Sequence, residues 1–269
     1  MRVIGVDFTS APRKAKPITV AHAELRAGAL RVLALEALLD FPAFEALLAR
    51  PGPWTGGFDF PFGLPGELVR DLGWPRGWRP LVRHCAQLTR AELRAALDAY
   101  RAARPAGNKY AHRATDRPAG SSSPMKLVNP PVALMFHEGA PRLAAAGVHV
   151  PGLAAGDRAR VALEAYPGML ARTIVRASYK NDARALQTPA RRAARRRILA
   201  ALVRGDHPLR LKVSLKTDSM KQILLEDASG DSLDAVLCAV QAAWAAARPG
   251  WGLPRRLPRG EGWIVSAGA

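Results

Sequence analysis

The sequence predicts an α/β fold: a mixed sheet, antiparallel over its first three strands and parallel afterwards, flanked by helices, with a helical and loop-rich insertion between the fourth and fifth strands. Three observations predict it. Short apolar runs that each carry one acid recur at residues 2–8, 56–63 and 160–167. Alternating runs at 18–25 and 29–35 follow the first of these, separated by Gly28. Helical periodicity takes over in the stretches between and after them.

Taken in order, Val3, Ile4 and Val6 are β-branched and Gly5 is permissive, so residues 2–8 read as a strand that Thr9-Ser10-Ala11-Pro12 ends. Asp7 lies at its carboxyl end, where an ionised carboxylate is costly unless it is paired or bound to a metal. The runs at 18–25 and 29–35 form an antiparallel hairpin, and Asp40 caps a helix over 41–49. The run GGFDFPFG at 56–63 repeats the first strand's design around Asp59. The order strand, strand, strand, helix, strand places it parallel to the first through a right-handed crossover.

Residues 64–158 change texture. Helices near 65–72, 79–87, 90–103 and 131–146, the third opened by a Thr89/Glu92 capping box, surround a loop-rich section at 104–130. This reads as an insertion within one domain spanning 1–269. The core resumes with the strand at 160–167, which delivers Glu164 ahead of a proline stop. A basic helix at 189–204, an alanine-rich helix at 231–247 and a final strand at 261–265 complete the chain, with no internal repeat.

The 269 residues are 49% hydrophobic and 23% charged, ordinary values, but the net charge of +18 is not. Only eight of the 40 basic residues are lysine. Such a chain attracts polyanions, which makes nucleic acid the leading partner class; the abundance of Ala, Arg, Gly and Pro is equally what a GC-rich coding bias produces. Cys85 and Cys238 form no C-x-x-C pair, which suits a reducing cytoplasm. No secretion signal is evident, and the longest apolar run, 13 residues at 235–247 interrupted by Gln241, is shorter than the roughly 20 of a membrane-spanning helix. No obligate protein partner is indicated.

The acids at the ends of apolar elements carry the functional reading. Asp7, Asp59 and Glu164 end strands, and Asp231 and Asp234 lie i and i+3 on the first turn of a helix. They converge at the carboxyl edge of the sheet, where open α/β sheets place their sites. Asp7, Asp59, Glu164 and Asp234 are the candidate catalytic residues and, with Asp231, the candidate ligands of Mg²⁺ or Mn²⁺, since hard oxygen donors suit these ions. Each acid also has an ordinary reading: a strand-end turn cap for Asp7 and Asp59, an arginine partner for Glu164, a helix cap for Asp231. Two metals roughly 3.5–4 Å apart would activate a water and stabilise a leaving oxygen in phosphodiester hydrolysis. The motifs G-x-S-x-G, G-x-x-x-x-G-K-[ST] and H-E-x-x-H are missing.

The blocks VIGVD, GFDFPFGLP, EAYP and DSLDAVLCAVQAAWA, closing with EGWIV, resemble the signature blocks of the domain-of-unknown-function family 429, predicted to be nucleases of the RNase H-like fold. Residues 112–143 resemble a further block, so the likeness covers most of the chain. It implies an RNase H-like core with Asp7 on the first strand, Asp59 on the fourth, Glu164 on the fifth and Asp234 on the last helix. The pair Asp231 and Asp234 is similar to the paired helix aspartates of RuvC-type resolvases.

The insertion adds candidates for substrate contact. Arg113, Asp116, Arg117 and Lys126 lie in a polar segment that reads either as a phosphate-binding loop or as an ordered surface excursion. Trp74, Arg76, Trp78 and Arg79 interleave aromatics with cations, as base-stacking surfaces do, or simply pack. Arg191, Arg192, Arg195, Arg196 and Arg197 give a helix face that tracks phosphates or is merely solvated. The expected function is a divalent-metal-dependent nuclease acting on DNA or RNA. The alternatives are a phosphotransferase of the actin and sugar-kinase type, whose phosphate-hairpin glycine Asp7-Phe8-Thr9-Ser10 lacks, and a non-catalytic nucleic-acid binder.

Overall fold

The computed structural model describes residues 1–268. Seven strands, β1 (Arg2–Asp7), β2 (Ile18–Arg26), β3 (Ala29–Leu38), β4 (Trp54–Asp59), β5 (Val148–His149), β6 (Asp157–Glu164) and β7 (Lys212–Leu215), form one sheet in the order β5-β6-β4-β1-β2-β3-β7. β2 runs antiparallel to β1 and β3, and the other neighbouring pairs are parallel. The mixed sheet expected from the sequence is therefore the one observed, with β4 beside β1. The β2–β3 hairpin closes through Ala27 and Gly28, with φ of 45° and 75°, the positive values a tight two-residue turn demands.

Helix α1 (Phe41–Ala49) is capped by the Asp40 carboxylate, which accepts from the Ala43 N–H at 2.8 Å. Residues 64–158 supply α2 (Gly66–Asp71), α3 (Trp78–Gln87), α4 (Arg90–Ala102), α5 (Asp116–Ala119) and α6 (Val132–Ala146); α4 opens on the Thr89/Glu92 capping box. After β6 come α7 (Pro167–Ile174), α8 (Pro189–Arg204), α9 (Asp218–Glu226) and α10 (Asp231–Ala246). Among the described residues, no helix is long and apolar enough to cross a membrane.

Two local expectations change. Pro167 does not merely stop β6; it sits at the first position of α7, where its missing N–H would be unpaired anyway. The strand expected at 261–265 is reduced to one parallel bridge between Ile264 and Glu164. Gly260 and Gly262 take φ of 80° and 77°, which breaks the extended run, and the Ile264 N–H donates to Thr115 Oγ1 instead of to a strand.

The sheet is covered on both faces. Ile4, Val6, Ile18, Val20 and Phe58 face α1 and the helices of 64–158. Val3, Ala21, Ala23 and Val32 face α7 to α10, as the alternation of a strand requires. α10 crosses β1 and β4 at Gly5 and Gly57. A Cβ on Gly5 would lie 2.0 Å from the Ala235 carbonyl oxygen, and one on Gly57 would lie 2.4 Å from that of Cys238. Gly5→Ala must push α10 off the sheet, and an expected loss of about 3 kcal/mol in denaturant unfolding checks this contact.

Candidate functional site

Strand register decides which acids meet. Asp7 pairs with Asp59 across the parallel β1–β4 ladder, so the two side chains emerge side by side on one face. That face is the one on which Gly5 and Gly57 admit α10, and it brings Asp231 and Asp234 of the helix's first turn onto the same edge. Glu164 is in register with Phe58, one residue short of Asp59. One residue of offset turns a side chain to the other face of the sheet.

Glu164 accordingly belongs to a different network. The Arg113 guanidinium donates to both its oxygens, at 2.9 and 2.7 Å, and to Asp116 Oδ1 at 2.9 Å, while the Phe62 N–H donates to Glu164 Oε2 at 3.0 Å. The three side chains are 2% exposed or less. Burial raises the Glu164 carboxyl, and Arg113 opposes that rise. Arg113, expected to meet substrate, is instead the internal counter-ion of Glu164 and Asp116. Glu164, expected among the metal ligands, has its oxygens taken by Arg113 and Phe62.

On the α10 face the four aspartates differ in their partners. Asp234 is fully buried; Oδ1 accepts from the Tyr179 hydroxyl at 2.5 Å and Oδ2 is ion-paired with the Lys180 ammonium. Asp231 Oδ1 accepts from Lys16 at 2.8 Å, and Lys16 also bonds Asp182 at 2.8 Å. Asp7 and Asp59 accept no hydrogen bond from any described residue, although Asp7 is only 7% exposed. Burial, followed by the charge of Asp231, pushes the Asp7 carboxyl well above its usual range. Burial beside Asp234 raises Asp59 to about 7.

Asp7, Asp59, Asp231, Lys16, Tyr179 and Lys180 line a cavity of about 1030 Å³, with Asp234 buried behind that wall. The exposed Arg13 and Arg176 share that wall with no ion-pair partner among the described residues, and Thr9, Ser10 and Ser178 add hydroxyls. Arg117 and Lys126 do not line it; Arg117 is exposed elsewhere and Lys126 is half-buried. Hard carboxylate oxygens without donors fit Mg²⁺ or Mn²⁺, and Asp7 and Asp59 supply them. The expected five-ligand set is not assembled around one point, however. Among the described residues, no three His, Cys, Asp or Glu side chains are grouped to hold one metal ion. Lys180, Tyr179 and Lys16 hold the two helix aspartates instead.

The loop behind Asp7 is braced from the insertion. Arg90 donates to the Ser10 carbonyl and bonds Glu138 at 2.7 Å, and Glu138 also accepts from Arg142 at 2.9 Å. Burial works against its charge, but His137, Arg90 and Arg142 bring the Glu138 carboxyl down to about 2. A depressed acid contributes stability above its unfolded value and loses it as pH falls through its folded one. Glu138→Gln is therefore expected to cost about 2 kcal/mol at neutral pH, a gap that closes between pH ~4.5 and ~2 when unfolding is followed across that range.

The remaining candidates serve the scaffold. The Trp78 indole donates to the Phe62 carbonyl at 2.6 Å, Trp74 packs on His84 and Arg79 donates to the Ala155 carbonyl, so this segment packs rather than presenting a stacking surface. Arg195 is buried and donates to the carbonyls of Leu225 and Tyr179, which removes it from the basic face of α8; Arg196 and Arg197 remain exposed. Tyr179 and Lys180 were not expected at the site. Their only mark in the sequence is an aromatic and a cation inside the turn-like run SYKND at 178–182.

A mixed α/β sheet with a buried and a half-buried aspartate side by side at its carboxyl edge, facing a cavity with cations on its wall, defines an α/β protein with a polar cleft of mixed charge. The chain belongs to the family described as "Protein of unknown function (DUF429)", which matches residues 5–258. Comparison with curated proteins returns no match, and neither does comparison with solved structures.

Proposed function

We propose that the protein is a divalent-metal-dependent nuclease of the RNase H-like type that hydrolyses phosphodiester bonds of DNA or RNA. The observation that carries this reading is the Asp7 and Asp59 pair, matched across adjacent parallel strands, Asp7 buried and Asp59 half-buried in a cleft, and both left without hydrogen-bond donors. Two carboxylates so placed repel each other when ionised, and a dication between them would relieve that repulsion. Asp7 and Asp59 would hold Mg²⁺ or Mn²⁺, which when bound supplies Lewis-acid polarisation of a phosphoryl oxygen and a water of lowered pKa. Arg13 and Arg176 would hold the flanking phosphates, and Thr9 and Ser10 offer them hydroxyl donors. The Arg113–Glu164 pair keeps the floor of the cleft rigid. The two buried free thiols, Cys85 and Cys238, suit the reducing cytoplasm in which we place the activity.

The test is cleavage of plasmid, single strands, RNA–DNA hybrids and branched DNA, with Mn²⁺ and with chelator. Metal-dependent cutting of at least one substrate, reduced more than 100-fold in Asp7→Asn, is the expected result. Equal inertness of wild type and Asp7→Asn on all of them would remove the enzymatic reading.

A further inference from the structure

The donors on the α10 face are unevenly distributed. Both oxygens of Asp234 are engaged, by Tyr179 and Lys180, and Asp231 is engaged by Lys16, whereas Asp7, more than nine-tenths buried and facing the cavity, has no partner. Lys180 is also held by the fold. The Tyr179 carbonyl accepts from Arg195 at 2.8 Å, and the Asn181 N–H donates to the Ala228 carbonyl at 3.0 Å, so the residues on either side of Lys180 are tied down. The Lys180 stem passes over Gly230, where a Cβ would lie 2.7 Å from that of Lys180.

We infer that Lys180 is a built-in second cation: the site takes one divalent ion, on Asp7 and Asp59, and the Lys180 ammonium stands where a two-ion centre would hold its other metal. The inference rests on the nuclease reading above. Pairing supports it. Lys180 answers Asp234 and Lys16 answers Asp231, which leaves Asp7 and Asp59, side by side across β1 and β4, as the carboxylates a single divalent ion would bind. Mg²⁺ is commonly held by one or two carboxylates, with water and substrate phosphate completing its shell, so the pair suffices.

In the hydrolysis so arranged, a water oxygen bonds to phosphorus as the phosphorus–oxygen ester bond breaks with its electron pair on the leaving oxygen. The leaving oxygen takes up one proton and the attacking water releases one to solvent, so water is the only co-reactant. Lys180 stays protonated throughout, paired with Asp234 on the wall of the cavity.

The experiment counts Mn²⁺ bound per full-length chain, by the electron paramagnetic resonance signal of free Mn²⁺, without nucleic acid. Wild type is expected to bind one ion, Asp7→Asn and Asp59→Asn to bind it at least tenfold more weakly, and Lys180→Met to bind two. Lys180→Gln, which keeps a donor to Asp234 but drops the charge, is the second variant should Lys180→Met fail to fold. Two ions on wild type, or one on a folded Lys180 variant, overturns the inference. Two ions together with Mn²⁺-dependent cutting would sink only the role of Lys180, whereas no ion and no cutting would sink the nuclease reading with it.

Discussion

Arg113→Ala is expected to lower stability by about 3–5 kcal/mol, the range for removing one partner of a buried ion pair. The guanidinium sits between Glu164 and Asp116, all three side chains at most 2% exposed, and its removal leaves two carboxylates shut off from water without a counter-ion. Lost packing is the smaller part of this, so Arg113→Met, which restores much of the volume, should fall almost as far. The sign of the pH dependence separates charge from packing. Once Arg113 is gone, nothing from its charge opposes the rise that burial gives the Glu164 carboxyl, so that group favours the folded state only while protonated. The deficit should widen as pH rises and shrink in acid. Urea unfolding at several pH values measures it, and a loss under 1 kcal/mol that ignores pH would contradict the assignment.

Asp59→Asn is expected to act in opposite directions on stability and activity. With chelator present, burial and then the charge of Asp234 raise the wild-type Asp59 carboxyl to about 7 from 3.8. A raised acid contributes stability below its unfolded value and loses it as pH rises through the folded one. The amide escapes that loss. The variant should exceed wild type by about 2 kcal/mol at pH ~8, an advantage that vanishes below pH ~4. With Mn²⁺ the order reverses, because only wild type gains stability from the ion, and cleavage in the variant should fall more than 100-fold. Thermal melts in chelator and in Mn²⁺ read out both. An Asp59→Asn protein less stable than wild type in chelator at pH ~8 would mean that the carboxylate is structural.

Much of this arrangement was legible in the chain. Asp7 and Asp59 stood out because each ends an apolar strand, a place where an ordinary sheet puts a β-branched residue. Asp234 stood out because it precedes the apolar series of a helix that is buried almost throughout. The face taken by Glu164 could not be read the same way. It depends on whether β6 aligns its last residue with Phe58 or with Asp59, and no local pattern encodes a one-residue register between segments more than a hundred residues apart. Arg113 looked like a surface cation because its segment is polar; what buries it is the pair of acids it meets, one of them 51 residues away. Lys180 gave the weakest signal, since a lysine in a turn is ordinary until tertiary contacts lay it over α10. The strand expected at 261–265 failed for a related reason, since Gly262, like Gly260 just before it, is used for positive φ rather than for extension.

The apolar cluster shared by β1, β2, β4 and the helices of 64–158 makes that segment a wall of the building and not an annexe. Excising it would strip the cover from Ile4, Val6 and Phe58 and leave them to water. Such a shortened chain would aggregate rather than survive as a minimal version of the protein, and the intact one should melt in a single cooperative step. Variation in this lineage is then expected to gather in loop tips and basic side chains, with the span itself retained.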